Sequence, residues 1–396
     1  MSRSSAVRCE LSEVSYRAWP AAETMTVRCR IRTARGSATA DGYGTAAEEP
    51  LARRKALSEA VERLVACSPL AQVVRPPSPV GGTLPGFADG HSGVRTAPPG
   101  CLTRRYSAPA SGPDRRIPLF WSSPWVAGEE LRAGVLRAAD ARLSSTIGWA
   151  AAPDPEAALT GALLELTESV DYGVFLYRRL AGPPRRALAP GAAGKAGPDP
   201  ELVTLAGVTR TPTVLAVARH ANRLMPATGL GSGHTLAQAQ ERALLELAQA
   251  ETMWRLNPTA ESAERQFMRR FERWPALRRC VALDFDLNGP GPAPAVAAAP
   301  GPNPTAPLSP LEELSARSLR VWADRGTVDL LGPDLPPTRL SLAHVVTEPQ
   351  PLLGLVRAGI PVFDTEEVRR TLAPHSPARA ADRRDPGRNP QGRRTA

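Results

Sequence analysis

Several signatures of common protein classes are absent from this 396-residue sequence. Its five cysteines form no C-x-x-C pair and join no Cys/His cluster, which argues against structural zinc and against a disulfide framework. No stretch is apolar enough for a membrane span, and no apolar core follows the first arginines as it would in a signal peptide. The sequence also lacks a G-x-x-x-x-G-K-[ST] loop and a G-x-S-x-G elbow. These absences predict a soluble, cytoplasmic protein that is neither a P-loop ATPase nor a serine hydrolase.

Aromatic residues are scarce, at 5%, and only two of the 49 basic residues are lysines, Lys55 and Lys195. Hydrophobic residues still make up 42% of the chain, which is enough for a core built mainly from Ala, Leu and Val. The formal net charge is +10, and part of the excess lies in residues 376–396. No aromatic residue is interleaved with the arginines there, so a disordered, solvated basic tail is favoured over a nucleic-acid site.

Proline and glycine, at 42 and 32 residues, punctuate three segments that we expect to be surface loops: 76–113, 182–200 and 288–310. Strand-like patterns occur between and beyond them, at 24–33, at 202–217 with an interrupting turn, and at 361–363. Because helix-like stretches separate these strands, the sequence predicts an α/β or α+β architecture. We expect one domain over residues 24–375, preceded by an N-terminal extension at 1–23.

An internal repeat is the most informative feature of the sequence. Three segments align without gaps: Gly42–Glu62, Gly148–Glu168 and Gly229–Gln249. Each begins with Gly and carries Ala ten residues on, Ala-Leu at fourteen and fifteen, and Glu at seventeen. A second polar residue follows three positions later, Glu in the first two segments and Gln in the third. Each segment therefore predicts a Gly-bearing turn that leads into an amphipathic helix with two polar residues on one face.

A single E-x-x-E pair on a helix is usually an ordinary solvated face. Recurrence at one offset in three segments favours a function, because a solvent-exposed face gives no reason for the spacing to recur. Glu59 with Glu62, and Glu165 with Glu168, would form a set of oxygen ligands if their helices converge, and such a set suits Mg²⁺ carrying nucleotide phosphates. The third segment would add a polar face whose arginine can hold phosphate: Arg242, Glu246 and Gln249.

The same residues resemble the YcaO family. The first segment, Gly42–Arg63, carries the succession G-x-G…A-L-x-E-x-x-E-R. The second, Gly148–Glu168, has a glycine followed by L-E-x-x-E, and the third, Gly229–Gln249, has G-x-G…R-A-L-x-E-x-x-Q. A W-x-x-G-x-x-L-x-x-G stretch at Trp125–Gly134 precedes the second segment, as it does in that family. The resemblance covers roughly Val27–Ala373 and implies a YcaO-like fold with three repeated strand/turn/helix units around a nucleotide pocket.

The resemblance implies ATP-dependent modification of a backbone amide in a ribosomally synthesised precursor peptide. In azoline-forming members a Cys, Ser or Thr side chain adds to the preceding carbonyl, the oxyanion is phosphorylated, and loss of phosphate leaves a thiazoline or oxazoline. Other members install a thioamide or an amidine. The implied cofactors are ATP and Mg²⁺. The implied partners are the precursor peptide, a separate leader-binding or biosynthetic protein, and a second copy of the chain in a homodimer, with no membrane partner.

Roles for individual residues also follow from the resemblance. The implied catalytic residues are Glu165, Glu168, Arg242, Glu246 and Gln249. The residues implied to bind the nucleotide are Gly42, Gly44, Glu59, Glu62, Arg63, Ser145, Gly148, Gly229 and Gly231. The implied metal ligands are Glu59, Glu62, Glu165 and Glu168.

The chain departs from the family pattern at several positions. Tyr43 stands where Lys is frequent, Thr146-Ile147 replaces Ser-Asn, Ala157 replaces an acidic residue, and Ser169 replaces a basic one. The chain also lacks a Pro-x-Pro-x-Pro ending. These departures keep an alternative open, namely a YcaO-like protein with a degenerate nucleotide site that binds the peptide or an active partner without catalysis. A helical scaffold with no common site is a third hypothesis.

Three further residues have mainly structural interpretations. His234 follows Gly231-Ser-Gly and lies beside the predicted start of a helix, where capping or packing is favoured over phosphate binding. Cys67 and Cys280 lie near helical stretches, and we expect both to be buried as small apolar residues rather than to act as nucleophiles.

Overall fold

The computed structural model describes residues 7–21, 23–34, 36, 38–73, 78–79, 84–85, 96–109, 112–180, 199–205, 211–287, 309–316, 319–348 and 352–362. The predicted strand at 24–33 is present as Met25–Thr33, and its inward-facing Val27, Cys29 and Ile31 are fully buried. This follows from the alternation of apolar and polar residues, since successive side chains of a strand point to opposite faces.

The secondary-structure elements alternate along the chain. The strands are β1 (Val7–Pro20), β2 (Met25–Thr33), β3 (Thr39–Ala46), β4 (Ser78–Pro79), β5 (Leu84–Pro85), β6 (Thr96–Ala97), β7 (Leu102–Tyr106), β8 (Arg115–Pro118), β9 (Trp149–Ala152), β10 (Glu201–Thr204), β11 (Thr213–Ala218), β12 (Ala227–Ser232), β13 (Arg320–Gly332) and β14 (Leu335–Glu348). The helices are α1 (Glu49–Ala66), α2 (Leu70–Val73), α3 (Pro124–Arg132), α4 (Ala138–Ala141), α5 (Pro155–Leu180), α6 (Leu236–Leu256), α7 (Ala260–Arg269), α8 (Pro275–Ala282) and α9 (Pro310–Ala316). Two 3₁₀ helices occupy Leu119–Trp121 and Leu353–Ala358.

The largest sheet contains six strands in the order β3-β2-β1-β13-β14-β9. Its neighbours are antiparallel except for β1 and β13, which run parallel. A second sheet has the antiparallel order β10-β11-β12. The strands β10 and β11 divide the predicted 202–217 stretch as the expected turn requires. The mixed α/β class predicted from the sequence is confirmed.

Three long helices cover these sheets. Helix α1 packs on β2 and β3, α5 packs on β14 and β9, and α6 packs on β11 and β12. Each helix also contacts a strand that precedes one of the other two, because α1 contacts β9, α5 contacts β12, and α6 contacts β3. The buried faces consist largely of Ala, Leu and Val, so burial of these side chains is the main force that brings the three helices together.

Glycines set the distance between two of these helices and their strands. A β-carbon at Gly42 would lie 2.1 Å from the backbone nitrogen of Ala60, and one at Gly229 would lie 2.0 Å from the carbonyl oxygen of Ala243. Gly44 and Gly231 face α1 and α6 in the same way, with helix carbonyl oxygens at 2.3 and 2.4 Å. Strands β3 and β12 therefore contact the helix backbones directly, which no residue with a side chain would permit.

The structure corrects several expectations about single segments. Val7–Pro20 was expected in an N-terminal extension but forms β1 inside the large sheet, and Leu102–Tyr106 forms β7 within the expected loop at 76–113. Pro361 and Val362 do not form a strand, since Val362 instead packs into the core. Cys280 is buried as predicted, whereas Cys67 is exposed because it follows the last turn of α1.

Other predicted segments lie partly or wholly outside the described residues. These are Phe363, most of the 182–200 and 288–310 loops, and the basic segment 376–396. Within the described part of the chain, no helix is both long and apolar enough to cross a membrane.

Candidate functional site

Carboxylates from α1, α5 and α6 converge in one region of the molecule. Glu165 interacts electrostatically with Glu62, Glu168 and Glu246, and Glu246 also interacts with Glu59. All five side chains are partly exposed, so they line a surface that solvent can reach. The acidic pairs that the sequence placed on separate helices are therefore brought together, and we call these five residues the acidic centre.

The first glutamate of each helix is held by a backbone N–H at the start of its own segment. Glu59 accepts a hydrogen bond from the Tyr43 N–H at 2.6 Å, and Glu246 accepts one from the Leu230 N–H at 2.8 Å. Glu165 accepts one from the Gly148 N–H. These bonds fix one side of each carboxylate, while the second oxygens of Glu59 and Glu246 form ion pairs with arginines.

The second polar residue of each helix is held by a different segment. Glu62 accepts a hydrogen bond from the Ala151 N–H at 2.6 Å, and Glu168 accepts one from the Ser232 N–H at 2.7 Å. On α6 the corresponding acceptor is the Gln249 Oε1, which receives the Thr45 hydroxyl at 3.3 Å. The first helix is thus tied to the second segment, the second helix to the third, and the third helix to the first. This closed set of bonds fixes the three helices relative to one another at the acidic centre.

Burial and mutual repulsion raise the pKa values of these carboxyl groups. Desolvation is the largest cause at Glu62 and at Glu168, and it raises both pKa values to about 8. Desolvation followed by the charges of Glu62, Glu168 and Glu246 raises the pKa of Glu165 well above its ordinary value. The pKa of Glu59 is raised as well, again chiefly by desolvation. The charged forms of these carboxyl groups are therefore disfavoured by burial and by one another, and a bound cation would stabilise them.

Two cations occupy equivalent places one turn before the first glutamates of α1 and α6. The Lys55 ammonium donates to the Thr45 carbonyl at 3.1 Å, and the Arg242 guanidinium donates to the Ser232 carbonyl at 3.0 Å. Desolvation, and then the charge of Arg242, lower the pKa of Lys55. Gly161 holds the corresponding position on α5. The position one turn before the first glutamate is thus positively charged on α1 and α6 and has no side chain on α5.

Two further arginines pair directly with the acidic centre. Arg63 forms an ion pair with Glu59 one turn away on α1 and donates to the Asp41 carbonyl at 3.0 Å. Arg357 comes from the 3₁₀ helix Leu353–Ala358 and donates to Glu246 Oε1 at 3.0 Å. Arg63 also acts on Glu62, and Arg357 also acts on Glu168, but the pKa values of these two carboxyl groups stay raised.

The local turns around the acidic centre are held by buried polar groups. Gly148 has φ of 82°, and a β-carbon there would lie 2.4 Å from the Val345 carbonyl oxygen, so the turn requires glycine on both counts. The preceding Ile147 carbonyl lies 3.2 Å from His344 Nε2, and His344 Nδ1 lies 2.6 Å from the Tyr106 hydroxyl. These contacts fix the turn whose N–H reaches Glu165.

A second buried network supports Ser232. The Thr213 hydroxyl donates to Asp171 Oδ2 at 2.7 Å and lies 2.6 Å from the Ser232 hydroxyl. Asp171 follows Glu168 by about one turn of α5. The backbone N–H of Ser232 is therefore presented to Glu168 by a strand that is itself anchored to the same helix.

The donors of this site fit a magnesium-bound nucleotide better than a metal held by protein alone. In the described part of the chain, no three acidic, histidine or cysteine side chains are arranged to hold a metal ion by themselves. The four glutamates predicted as metal ligands thus do not form a ready-made cage, because several of their oxygens accept backbone N–H bonds. Mg²⁺ in nucleotide sites usually takes only one or two carboxylates, with water and phosphate oxygens completing its coordination.

The other residues with predicted roles are placed differently. Gly42, Gly44, Gly229 and Gly231 pack against helix backbones, so their visible role is to allow close approach of strand and helix. Ser145 donates its N–H to the Trp121 carbonyl at 3.1 Å. The nucleotide-binding roles of these five residues stay predictions.

Sequence reasoning missed two of the basic residues in this region. Lys55 had a detectable signal, because it occupies the position of Arg242 in the first repeat and is one of only two lysines. Arg357 had none, because it lies outside the repeats and reaches Glu246 only through the tertiary fold. His234 is exposed, and its backbone N–H donates to the Gln238 side chain at 3.1 Å. Thr235 is the residue that caps α6, so the capping role expected of His234 falls to its neighbour.

Known proteins resemble this chain in sequence profile and in fold. Residues 42–316 match the sequence profile of the YcaO family, which is described as an ATP- and Mg²⁺-binding cyclodehydratase family. The chain therefore belongs to the YcaO family, and the prediction of ATP and Mg²⁺ as cofactors is confirmed at the level of the family. No curated protein sequence matches the chain significantly.

Two solved structures share its fold. YcaO from Methanopyrus kandleri, solved with AMPPCP and Mg²⁺, is 19% identical, with a TM-score of 0.53, over 93% of this chain and 91% of its own. A chain of the E. coli microcin synthetase McbBCD complex is 15% identical, with a TM-score of 0.51, over 84% of this chain and 87% of its own. At these identities the likeness is one of fold.

Proposed function

We propose that this protein uses Mg-ATP to activate a backbone amide of a ribosomally synthesised precursor peptide, giving an azoline, a thioamide or an amidine. The observation that carries the proposal is the acidic centre, in which five carboxylates from three helices converge, with Lys55 and Arg242 one turn before the first glutamates of α1 and α6. Membership of the YcaO family supports the same assignment. When bound, Mg-ATP supplies the phosphoryl group that turns the amide oxygen into a leaving group.

The chain's own residues would contribute binding and countercharge. Mg²⁺ would bind at Glu62, Glu165 and Glu168 with one or two of these carboxylates as direct ligands, because all three are drawn into the same acidic centre and burial disfavours their charged forms without a cation. Lys55 and Arg242 would bind phosphate oxygens, because both cations project beside the centre from the preceding turn of their helices. The backbone N–H groups of the three segments would keep the carboxylates oriented before the nucleotide binds.

Two residues that depart from the family pattern, Tyr43 and Ile147, contribute to the site through backbone atoms. Tyr43 contributes to the centre through its backbone N–H, a contact that does not depend on the side chain. Ile147 contributes through its backbone carbonyl, which lies in hydrogen-bond range of His344. These contacts favour an active nucleotide site over the alternative of a degenerate site that only binds the peptide or a partner.

Mass spectrometry of a candidate precursor peptide incubated with the protein and Mg-ATP tests the proposal. We expect the peptide to lose the mass of one water if an azoline forms, or to show the mass change of a thioamide or amidine when the sulfur or amine donor is added. We also expect Mg²⁺-dependent release of phosphate. Glu165→Gln should abolish both signals while preserving the fold. Tight peptide binding without nucleotide binding in calorimetry would select the degenerate alternative instead.

A further inference from the structure

A cavity of about 310 Å³ opens directly beside the acidic centre. Its polar edge contains Glu246 and Arg357, which are bonded to each other at 3.0 Å. Its remaining wall is mostly apolar and includes Met225, Met253 and Phe267. The cavity thus joins a mostly apolar wall to one carboxylate of the acidic centre, and the proposed chemistry does not yet use its apolar wall.

Along α6, Arg242 and the cavity lie on opposite sides of Glu246. Along α6, Arg242 precedes Glu246 by one turn, whereas the cavity-lining Met253 follows it by about two turns. Along α5, Tyr172 lines the cavity and follows Glu168 by one turn. The centre therefore has one side with Arg242, which suits phosphates, and a separate side where a mostly apolar cavity lies beside Arg357 and Arg223.

This separation has a consequence for the position of the second reactant. In phosphoryl transfer, the attacking and leaving oxygens lie roughly in line on opposite sides of the transferred group. If the phosphates extend toward Lys55 and Arg242, the acceptor oxygen has to approach from the opposite side, where the cavity lies. The acceptor in the proposed function is a peptide amide oxygen.

We infer that this cavity binds the substrate peptide next to the modified residue and selects a large apolar side chain there. The inference rests on the proposed function and adds a substrate preference to it. The Met225, Met253 and Phe267 side chains would surround the apolar group, and methionine adapts to side chains of different shape. Arg357 and Glu246 at the polar edge would face the peptide backbone. The cavity volume accommodates one Leu or Phe side chain with adjoining backbone atoms.

Binding of synthetic peptides tests the inference without requiring turnover. The probes are fluorescein-labelled heptapeptides with a central cysteine, flanked on both sides by Leu, Phe, Gly or Asp, and binding is followed by anisotropy in the presence of Mg-AMPPCP. Burial of an apolar side chain predicts that the Leu and Phe probes bind about 10-fold or more tightly than the Gly and Asp probes. Equal affinities for the four probes would overturn the inference.

Two variants of α6 provide the matched comparison. Met253→Trp fills the cavity and should reduce the preference for Leu and Phe to less than about 2-fold. Leu244→Trp, at a residue that is 38% exposed on the same helix, should leave the preference intact. If Met253→Trp keeps the preference for Leu and Phe, the apolar side chain of the peptide binds outside the cavity and the inference is wrong. Calorimetry distinguishes a peptide side chain in the cavity from the nucleotide base. Loss of Mg-AMPPCP binding in Met253→Trp would show that the cavity holds the base, and this result would also overturn the inference.

A crosslinking measurement on the unchanged protein removes any dependence on the folding of a variant. A probe carrying benzoylphenylalanine beside the cysteine should react on irradiation with Met225 or Met253, since excited benzophenone inserts readily into methionine C–H bonds. Adducts confined to residues outside the cavity would contradict the inference. Release of phosphate from Mg-ATP tests the proposed function separately. If the protein consumes ATP but does not prefer apolar side chains in the peptide, the proposed function stands and the inference about the cavity is wrong.

Discussion

Arg357 and Glu246 form an ion pair at 3.0 Å that joins the C-terminal part of the described chain to the acidic centre. The Arg357 guanidinium also lies over the Tyr172 ring at 5.5 Å from its centroid and within 3.4 Å of the Thr228 hydroxyl. The pair is only partly exposed, with side-chain exposures of 30% and 40%. A residue outside the matched family region thus sets the charge at one corner of the site.

Replacement of Arg357 should weaken binding of the nucleotide. Arg357→Gln removes a cation next to Glu246 and Glu168, which leaves the centre more repulsive toward a triphosphate. We expect the Kd for Mg-AMPPCP to rise by up to about 10-fold by calorimetry, because Arg357 acts on the triphosphate through its charge and not through a hydrogen bond. Arg357→Lys should restore part of the loss. Arg265→Gln, at an exposed ion pair on α7, is the control and should leave the Kd unchanged.

Replacing the Glu165 carboxyl with an amide should make the protein more stable and less active. Glu165→Gln removes one charge from a group of mutually repelling carboxylates, so the free energy of unfolding should rise by about 1–2 kcal/mol in urea titrations. Phosphate release from Mg-ATP should fall at least about 100-fold in the same protein. Glu156→Gln, on the exposed first turn of α5, should change neither quantity appreciably. Full phosphate release by the Glu165 variant would refute its assigned role.

The packing glycines should be intolerant of even one methyl group. Gly229→Ala places a carbon about 2 Å from the Ala243 carbonyl oxygen, so α6 has to move away from β12. We expect a loss of about 1–3 kcal/mol in the free energy of unfolding. Gly128→Ala in α3, where the added carbon meets nothing within 4 Å, should instead stabilise by up to about 1 kcal/mol. Thermal denaturation of the two variants measures the difference, and equal melting temperatures would contradict it.

Glu130 should make stability depend on pH. This carboxyl is 5% exposed and accepts the Leu102 N–H, and desolvation raises its pKa to about 7. Because the unfolded carboxyl has the lower pKa, the folded state binds more protons between pH 4.5 and 7. The contribution of Glu130 to stability is therefore present at low pH and is lost as the pH rises through about 7.

Comparison with Glu130→Gln isolates this contribution from those of other carboxyl groups. The free energy of unfolding of the wild type, relative to the variant, should decline by up to about 3 kcal/mol between pH 4.5 and 7.5. Urea titrations at a series of pH values measure the decline. A difference between the two proteins that stays constant with pH would show that the Glu130 pKa is not raised.

Much of the site was predictable because its residues repeat at fixed spacing on helices. Two polar residues three positions apart share a helix face whatever the rest of the fold, so Glu59 with Glu62 and Glu165 with Glu168 could be paired from the sequence. The glycines at the start of each segment were equally visible. Their packing role was not, since it depends on how closely a strand approaches a helix that follows in the chain.

The sequence by itself determined the amphipathic helices, their acidic faces and the family to which the chain belongs, because periodicity and local motifs are properties of neighbouring residues. The tertiary structure alone decided that the three faces meet, that Val7–Pro20 enters the large sheet, and that Arg357 reaches Glu246. Those relationships join residues far apart in the chain. They arise from burial of apolar faces and from hydrogen bonds between segments, and a local pattern shows which face is apolar but not which distant element covers it.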